Sequence, residues 1–281
     1  MPILKNCISC GDKILKKSPT KSYLNLDIFY CKKCGLYAVG KSEDEVKERI
    51  CELYEGDFWG SSIENAIDTN FQDVDSQGKR RNWISQYSYC KPFFENRKSI
   101  FEIGAGAGHA SVWFEEEGFD VTGIEPDSRN VEEINKILNI GKCIVGYVEE
   151  INLEKKFDII WMSHVLEHLI RPDLFLENIK KNLKSDGIFF IEVPNCGNDK
   201  TFSDSLLNPH TFHFSKTALS KLVEKMGYEI LSYDCFRPST KFEGLLNKIF
   251  RKLNFLYVHY PRIITDEKNG QDLRIILKLK D

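Results

Sequence analysis

The stretch Ile100-Phe101-Glu102-Ile103-Gly104-Ala105-Gly106-Ala107-Gly108-His109 constrains the fold of this chain more than any other. Apolar residues suited to a buried strand give way to a turn with glycine at alternate positions, and a helix pattern follows. Glycine permits positive φ and lets a ligand approach bare main chain, while the N-terminus of the next helix offers unpaired N–H groups to a nucleotide-like cofactor. A dinucleotide fingerprint wants glycine or alanine three residues after Gly106; His109 stands there instead, which weighs against nicotinamide and flavin. Glu102, Gly104, Ala105, Gly106 and Gly108 are the first cofactor-binding candidates.

A second strand pattern, Phe119-Asp120-Val121-Thr122-Gly123-Ile124, ends on Glu125 and Pro126, and Glu125 lies 21 positions beyond Gly104. One helix and one strand return the chain to the same sheet edge over that distance, so the two oxygens of Glu125 suit the paired hydroxyls of a ribose. Asp127 is expected to cap the helix that follows. From Gly118 onward strands near 119–124, 143–148, 157–162, 187–193, 228–234 and 273–279 alternate with helices near 108–117, 128–138, 173–184 and 215–226. This alternation predicts an α/β fold with a mainly parallel sheet whose ligands sit at the carboxyl ends of its strands. Val148 and Glu149 after the third strand, and Ser163 and His164 after the fourth, join the cofactor-binding set on that ground.

Cys7-x2-Cys10 and Cys31-x2-Cys34, each followed by glycine, have the spacing of a four-thiolate zinc ribbon. A full shell of four thiolates leaves no open position, so the zinc is expected to be structural and to supply folding energy that so small a module lacks. The segment 23–30 between the pairs alternates as a ribbon strand. Ser42 and Glu45 form a capping-box pattern at the start of a charged helix. An aromatic stretch, Tyr54 to Gly60, follows; it either covers the cofactor mouth or packs the two modules together. A further helix is expected around Arg80 to Phe94. The divisions that result are 1–41 (ribbon), 42–98 (helical linker or cap) and 99–281 (catalytic domain, with an insertion over 238–271).

Net charge is −3, without the basic excess of a dedicated nucleic-acid binder. The first residues lack an apolar stretch and no run reaches membrane-spanning length, so the expected location is the cytoplasm. Residues 241–253 place apolar positions at helical spacing with Lys248, Arg251 and Lys252 on other faces. Packing within the protein or on a second subunit is expected for this helix, with peripheral membrane contact through 241–260 as the alternative.

His164-x-x-Glu167-His168 matches a zinc-protease spacing in which both histidines share one helical face. A buried-strand pattern, Phe157 to Met162, precedes it directly and favours a sheet-edge site instead. Downstream, His210 and His213 lie just before the helix capped by Ser215, and Asn195 follows the fifth strand. The catalytic candidates are His210 or His213 as general base, Asn195 as the group orienting an acceptor, and His168 beside them.

Taken in order, the two knuckles, the aromatic linker ending in Phe58-Trp59, the E-x-G-x-G-x-G loop, His164 to Leu169, and His210 to Ser215 resemble class I S-adenosylmethionine-dependent methyltransferases with an N-terminal zinc ribbon. These are the bacterial type found with sugar, polysaccharide and natural-product pathways. The 157–169 run is similar to the corresponding segment of ubiquinone-biosynthesis-like methyltransferases. The resemblance implies a Rossmann-like seven-stranded sheet, with S-adenosylmethionine held by the glycine loop and Glu125. It implies methyl transfer to a small-molecule or sugar-linked acceptor, most simply on oxygen. C-methylation of a nucleotide-linked sugar, an RNA acceptor held by the ribbon, and a non-catalytic scaffold are the alternatives.

Overall fold

The computed structural model describes residues 6–12, 15–40, 42–55, 79–150, 153–252 and 262–280. Near its start, β1 (Leu15–Lys21) and β2 (Asp27–Cys31) form an antiparallel hairpin, and β3 (Tyr37–Val39) pairs with β2 on its other edge. The strand expected over 23–30 is therefore cut short. Asn25 takes φ 57°, and Ser22 and Leu26 bond one another across the turn, which ends the extended run before Asp27. Helix α1 (Glu43–Glu55) begins as the capping pattern requires, with the Glu45 N–H donating to Ser42 Oγ at 3.1 Å, and runs beyond the expected stretch. Helix α2 (Lys79–Cys90) precedes the main sheet. Most of the aromatic linker, including Phe58 and Trp59, lies outside the described residues.

The main sheet starts with β4 (Ser99–Ile103), buried at every position. β5 (Asp120–Glu125), β6 (Lys142–Val145), β7 (Phe157–Ser163) and β8 (Leu183–Pro194) run parallel with it in the spatial order β6-β5-β4-β7-β8. Between the strands come α3 (His109–Glu116), α4 (Ser128–Ile137) and α5 (Pro172–Asn178), with α6 (Asp199–Ser205) after β8. Asp127 caps α4 through the Arg129 N–H, and Ser215 caps α7 (Lys216–Lys225) through the Ala218 N–H, both as expected. The order reverses at β4, with β5 to one side and β7 to the other, so the crevice above the carboxyl ends of these strands is the switch point at which such sheets bind ligands.

Beyond β8 the sheet continues through antiparallel strands. Two-residue β9 (Phe212–His213) lies elsewhere, while β10 (Tyr228–Pro238) and β12 (Asp272–Leu279) complete the seven expected strands. An eighth, β11 (Arg262–Thr265), pairs with the outer edge of β10. It comes from the 238–271 insertion, and four residues are too short a run to announce themselves by periodicity. The same insertion holds α8 (Lys241–Lys252), on which Phe242, Leu245 and Ile249 are 68%, 56% and 46% exposed. At these positions α8 presents apolar side chains outward instead of packing them on the protein; residues 253–260 lie outside the described set.

The ribbon is not a separable N-terminal unit. β9 pairs with β3 and so becomes the fourth strand of the ribbon sheet, ordered β1-β2-β3-β9. Ser215 Oγ donates to the Cys34 carbonyl at 2.6 Å, and Lys225 Nζ to the Ile8 carbonyl at 3.0 Å. Cys7, Cys31, Leu36 and Ala38 share one apolar core with Phe214, Leu219, Leu222 and Phe189.

Candidate active site

All three loop glycines have positive φ: 70° at Gly104, 54° at Gly106 and 77° at Gly108. Their surroundings divide the labour. A Cβ on Gly104 would stand 2.4 Å from Val165 Cγ2, and one on Gly108 2.3 Å from Ile134 Cγ1, so these positions need glycine for close packing as well as for backbone freedom. A Cβ on Gly106 would meet nothing within 4 Å. Open space therefore lies beside Gly106, on the side a ligand needs. Ala105 is buried, and both it and Gly104 donate their N–H to the Ile124 carbonyl, tying the loop to the end of β5.

Glu125 sits at that rim. Its Oε2 accepts from the Gly106 N–H at 2.8 Å, and its Oε1 faces the Asp127 N–H at 3.3 Å across Pro126. Burial pushes its carboxyl up to about 6, against the lowering effect of the Gly106 hydrogen bond. Glu102, by contrast, does not reach the cofactor space. Its carboxyl is buried beneath the loop, where it accepts from Ser111 of α3, and burial pushes it up to about 8. Val148 packs against the main core. Glu149 is taken up as a brace: its Oε1 accepts from the Ile170 N–H at 2.9 Å, which ties the end of the third strand's loop to the start of α5.

After β7 the chain does not continue as a helix. His164 takes φ 55°, and only a single 3-10 turn, Leu166–His168, follows. His164 and His168 therefore do not share a helical face, and the zinc-protease arrangement is absent here. His164 Nε2 lies 3.1 Å from Glu192 Oε1, and its Nδ1 3.4 Å from Glu167 Oε1. Burial opposes the charge, but the two carboxylates hold this imidazole up at about 10, so it is a cation and not a base at neutral pH. Ser163 Oγ accepts from Gln86 Nε2 at 2.8 Å.

Glu192 is the centre of a buried polar network that the sequence reading missed. Arg274 pairs with it from β12, Gln86 donates to it at 2.7 Å from α2, and Arg274 also reaches Ser85 Oγ at 2.8 Å. Glu192 and Arg274 are both fully buried. Their signal was present: each is a charge in the middle of an apolar strand, where only a partner makes it affordable. Asp272, paired with Arg262, closes the network on the same side.

His168, His210 and His213 gather beside the 167–169 turn. The Thr211 hydroxyl donates to the Glu167 and Leu169 carbonyls, holding the 209–213 segment against the 167–169 turn. His210 packs edge-on against His168 with centroids 4.7 Å apart, and against His213 at 5.6 Å. Burial lowers His210 to about 4 and His213 to about 3. His213 Nδ1 lies 2.9 Å from Ser205 Oγ, while its Nε2 and the Nδ1 of His210 have no hydrogen-bond partner. Asn195 corrects an expectation. It is fully buried, its Nδ2 donates to the Glu267 and Gly270 carbonyls and its Oδ1 accepts from the Gly197 N–H, so no part of its amide remains to orient an acceptor.

In the ribbon, the sulfurs of Cys7, Cys10, Cys31 and Cys34 all lie within 4.8 Å of one another. Gly11 and Gly35, at φ 73° and 76°, donate back to the Cys7 and Cys31 carbonyls and close the two knuckles. No disulfide links these cysteines. The donor set and its closure fit a metal ion held tetrahedrally by four thiolates.

The sheet order, the glycine loop and the carboxylate at the end of β5 define a class I methyltransferase fold. Residues 74–233 match the family described as "Methyltransferase domain", and the chain belongs to that family. A ubiquinone biosynthesis O-methyltransferase of Pelagibacter ubique is 28% identical over 165 residues, covering 56% of this chain and 66% of the relative. One from Rickettsia akari is 25% identical over 104 residues, 36% of this chain and 41% of the relative. The chain thus spans less than two thirds of the length of these relatives. Among solved structures, a SAM-dependent methyltransferase from Archaeoglobus fulgidus shares the fold with TM-score 0.55 at 18% identity, covering 75% of this chain and all of that one. The 1,6-didemethyltoxoflavin-N1-methyltransferase of Burkholderia thailandensis, solved with S-adenosylhomocysteine, does so with TM-score 0.56 at 15% identity, covering 95% of this chain and all of that one.

Proposed function

We propose that this protein is an S-adenosylmethionine-dependent methyltransferase that methylates a hydroxyl of a small-molecule or sugar-linked acceptor. The observation that carries the reading is the rim at Gly106, where open space lies beside bare main chain with the Glu125 carboxylate at its edge. Bound there, the donor would supply a methyl group activated on a sulfonium sulfur, for in-line transfer to an acceptor oxygen that gives up its proton to solvent, the C–S electron pair remaining with sulfur. Glu125 holds the ribose hydroxyls, and the glycine loop leaves room for the donor. Val165, packed on Gly104, brings the 164–168 turn alongside the donor site, so the acceptor is received against that turn, on whose far end His210 packs. The O-methyltransferase names of the relatives support oxygen as the methylated atom. Zinc at Cys7, Cys10, Cys31 and Cys34 holds the ribbon and takes no part in transfer.

Calorimetry with S-adenosylmethionine tests the reading. Binding to the intact protein is expected, and Glu125→Gln should weaken it by about 10- to 100-fold, the worth of hydrogen bonds to a charged acceptor. Because Glu125 titrates near 6, the intact protein should lose affinity as the pH falls below 6, while the Gln variant stays flat. No binding by the intact protein would refute the assignment. Methyl transfer to a panel of sugar nucleotides and phenols then selects the acceptor class.

A further inference from the structure

We propose that α8 is a docking helix that lies in the surface of an anionic lipid bilayer and holds the protein there without crossing it. Phe242, Leu245 and Ile249 stand at i, i+3 and i+7, so they form one stripe along the helix, and all three are exposed. Residues of this kind ordinarily fix a helix to its own core. Here the contact with the protein is made on the other side, where Glu243, Gly244 and Leu246 are half-buried. At 12 residues α8 is about 18 Å long, well short of the ~30 Å hydrocarbon core of a bilayer.

Charge decides which surface the stripe fits. Positions 241, 248 and 252 are all lysine and recur at i, i+7 and i+11, which sets them together along the flank beside Leu245. Lys241 is exposed. The one acid of the helix, Glu243, falls on the opposite flank, and its two oxygens are taken up by Arg237 of β10 at 2.9 and 3.0 Å. An apolar stripe bordered by lysine positions, with the single carboxylate already engaged, matches a helix that rests its apolar face among acyl chains and its cations among anionic headgroups. A second copy of the chain fits this face less well. Two such helices laid together would oppose like charges with no acid to offset them.

The donor rim stands apart from this surface, because β12, β8 and β7 separate β10 from β4 in the main sheet. Docking therefore goes beyond the methyltransferase reading and does not depend on it.

Co-sedimentation of the full chain with vesicles tests the proposal, using phosphatidylcholine alone and phosphatidylcholine mixed with phosphatidylglycerol. Each lysine near an anionic surface strengthens binding about fivefold, so the mixed vesicles should be preferred by at least about tenfold. Added salt should erode that preference. Phe242→Ser combined with Leu245→Ser should weaken binding to the mixed vesicles by at least about tenfold, from the apolar surface removed. Lys241→Glu combined with Lys252→Glu should abolish the preference between the two vesicle types. Thermal unfolding and S-adenosylmethionine calorimetry of these variants should match the parent, which shows that fold and donor site are intact. No binding of the parent to the mixed vesicles, or equal binding by the parent and the Phe242→Ser, Leu245→Ser variant, would overturn the proposal. A lipid-free dimer in sedimentation velocity that the same variant dissolves would also overturn it, and would make the stripe an interface between copies. Vesicle binding by a parent that takes up no donor would refute the methyltransferase reading and leave the docking helix standing.

Discussion

Among single residues, the three loop glycines have the same sequence role and different structural ones. Gly106→Ala puts a methyl group into open space at φ 54°, so the expected cost to folding is about 1–2 kcal/mol from the left-handed backbone, with donor binding the main loss. Gly108→Ala adds the same backbone cost to a 2.3 Å clash with Ile134 and should destabilise by more, which urea unfolding of the two variants will separate. Glu102 makes a different prediction. Its carboxyl is raised from 4.5 to about 8, so the folded state binds a proton more tightly than the unfolded chain, and stability falls as the pH rises from 4.5 towards 8. Glu102→Gln should remove that slope and leave the protein about 2–4 kcal/mol more stable than the parent near pH 8, by denaturant unfolding at both ends of the range. The acid two places before Gly104 was visible in the sequence as part of the motif. That it lies under the loop and not on it depends on Ser111, which only folding brings within reach.

Elements are held to one another by charges that a strand pattern conceals. β8 and β12 read as apolar runs, and each carries one fully buried charge, Glu192 and Arg274. Burial alone would raise the Glu192 carboxyl, but Arg274 and His164 hold it well below its ordinary range. Arg274→Ala removes the fully buried cation paired with that carboxylate, leaving only His164 and Gln86 on it, and should cost about 3–5 kcal/mol, whereas replacing both members with apolar residues of similar volume should recover most of the loss in thermal or urea unfolding. The pair also docks α2, through Gln86, Ser85 and Asn82. β4, β5, β7 and β8 were legible because each is a buried run next to a clear helix or turn signal. β9 and β11 were not: at two and four residues they exist only because β3 and β10 offer an edge to pair with.

Over the whole molecule, the cysteine cluster and the histidine cluster are one mechanical unit. His213 lies on the fourth strand of the ribbon sheet with His210 three residues before it, and the cap of α7 bonds to the Cys34 carbonyl. Cys10→Ser, which breaks the four-sulfur cluster, should therefore abolish methyl transfer, while donor affinity at the β4–β5 rim stays within about threefold of the parent by calorimetry. Equal loss of both would mean that the ribbon supports the fold generally and not the acceptor side. No helix among the described residues is long and apolar enough to cross a membrane.

The sequence by itself determined the parallel sheet, the glycine turn, Glu125 at its distance and the four-cysteine cluster, because each depends on spacing along the chain: strand length, turn geometry, one crossover, one knuckle. Only the tertiary structure decided that Asn195 is spent on backbone carbonyls and that Glu149 braces a loop. It also brought His168, His210 and His213 together and paired Glu167 with His164. Hydrogen-bond saturation and burial are set by partners remote in sequence, and no local pattern records them.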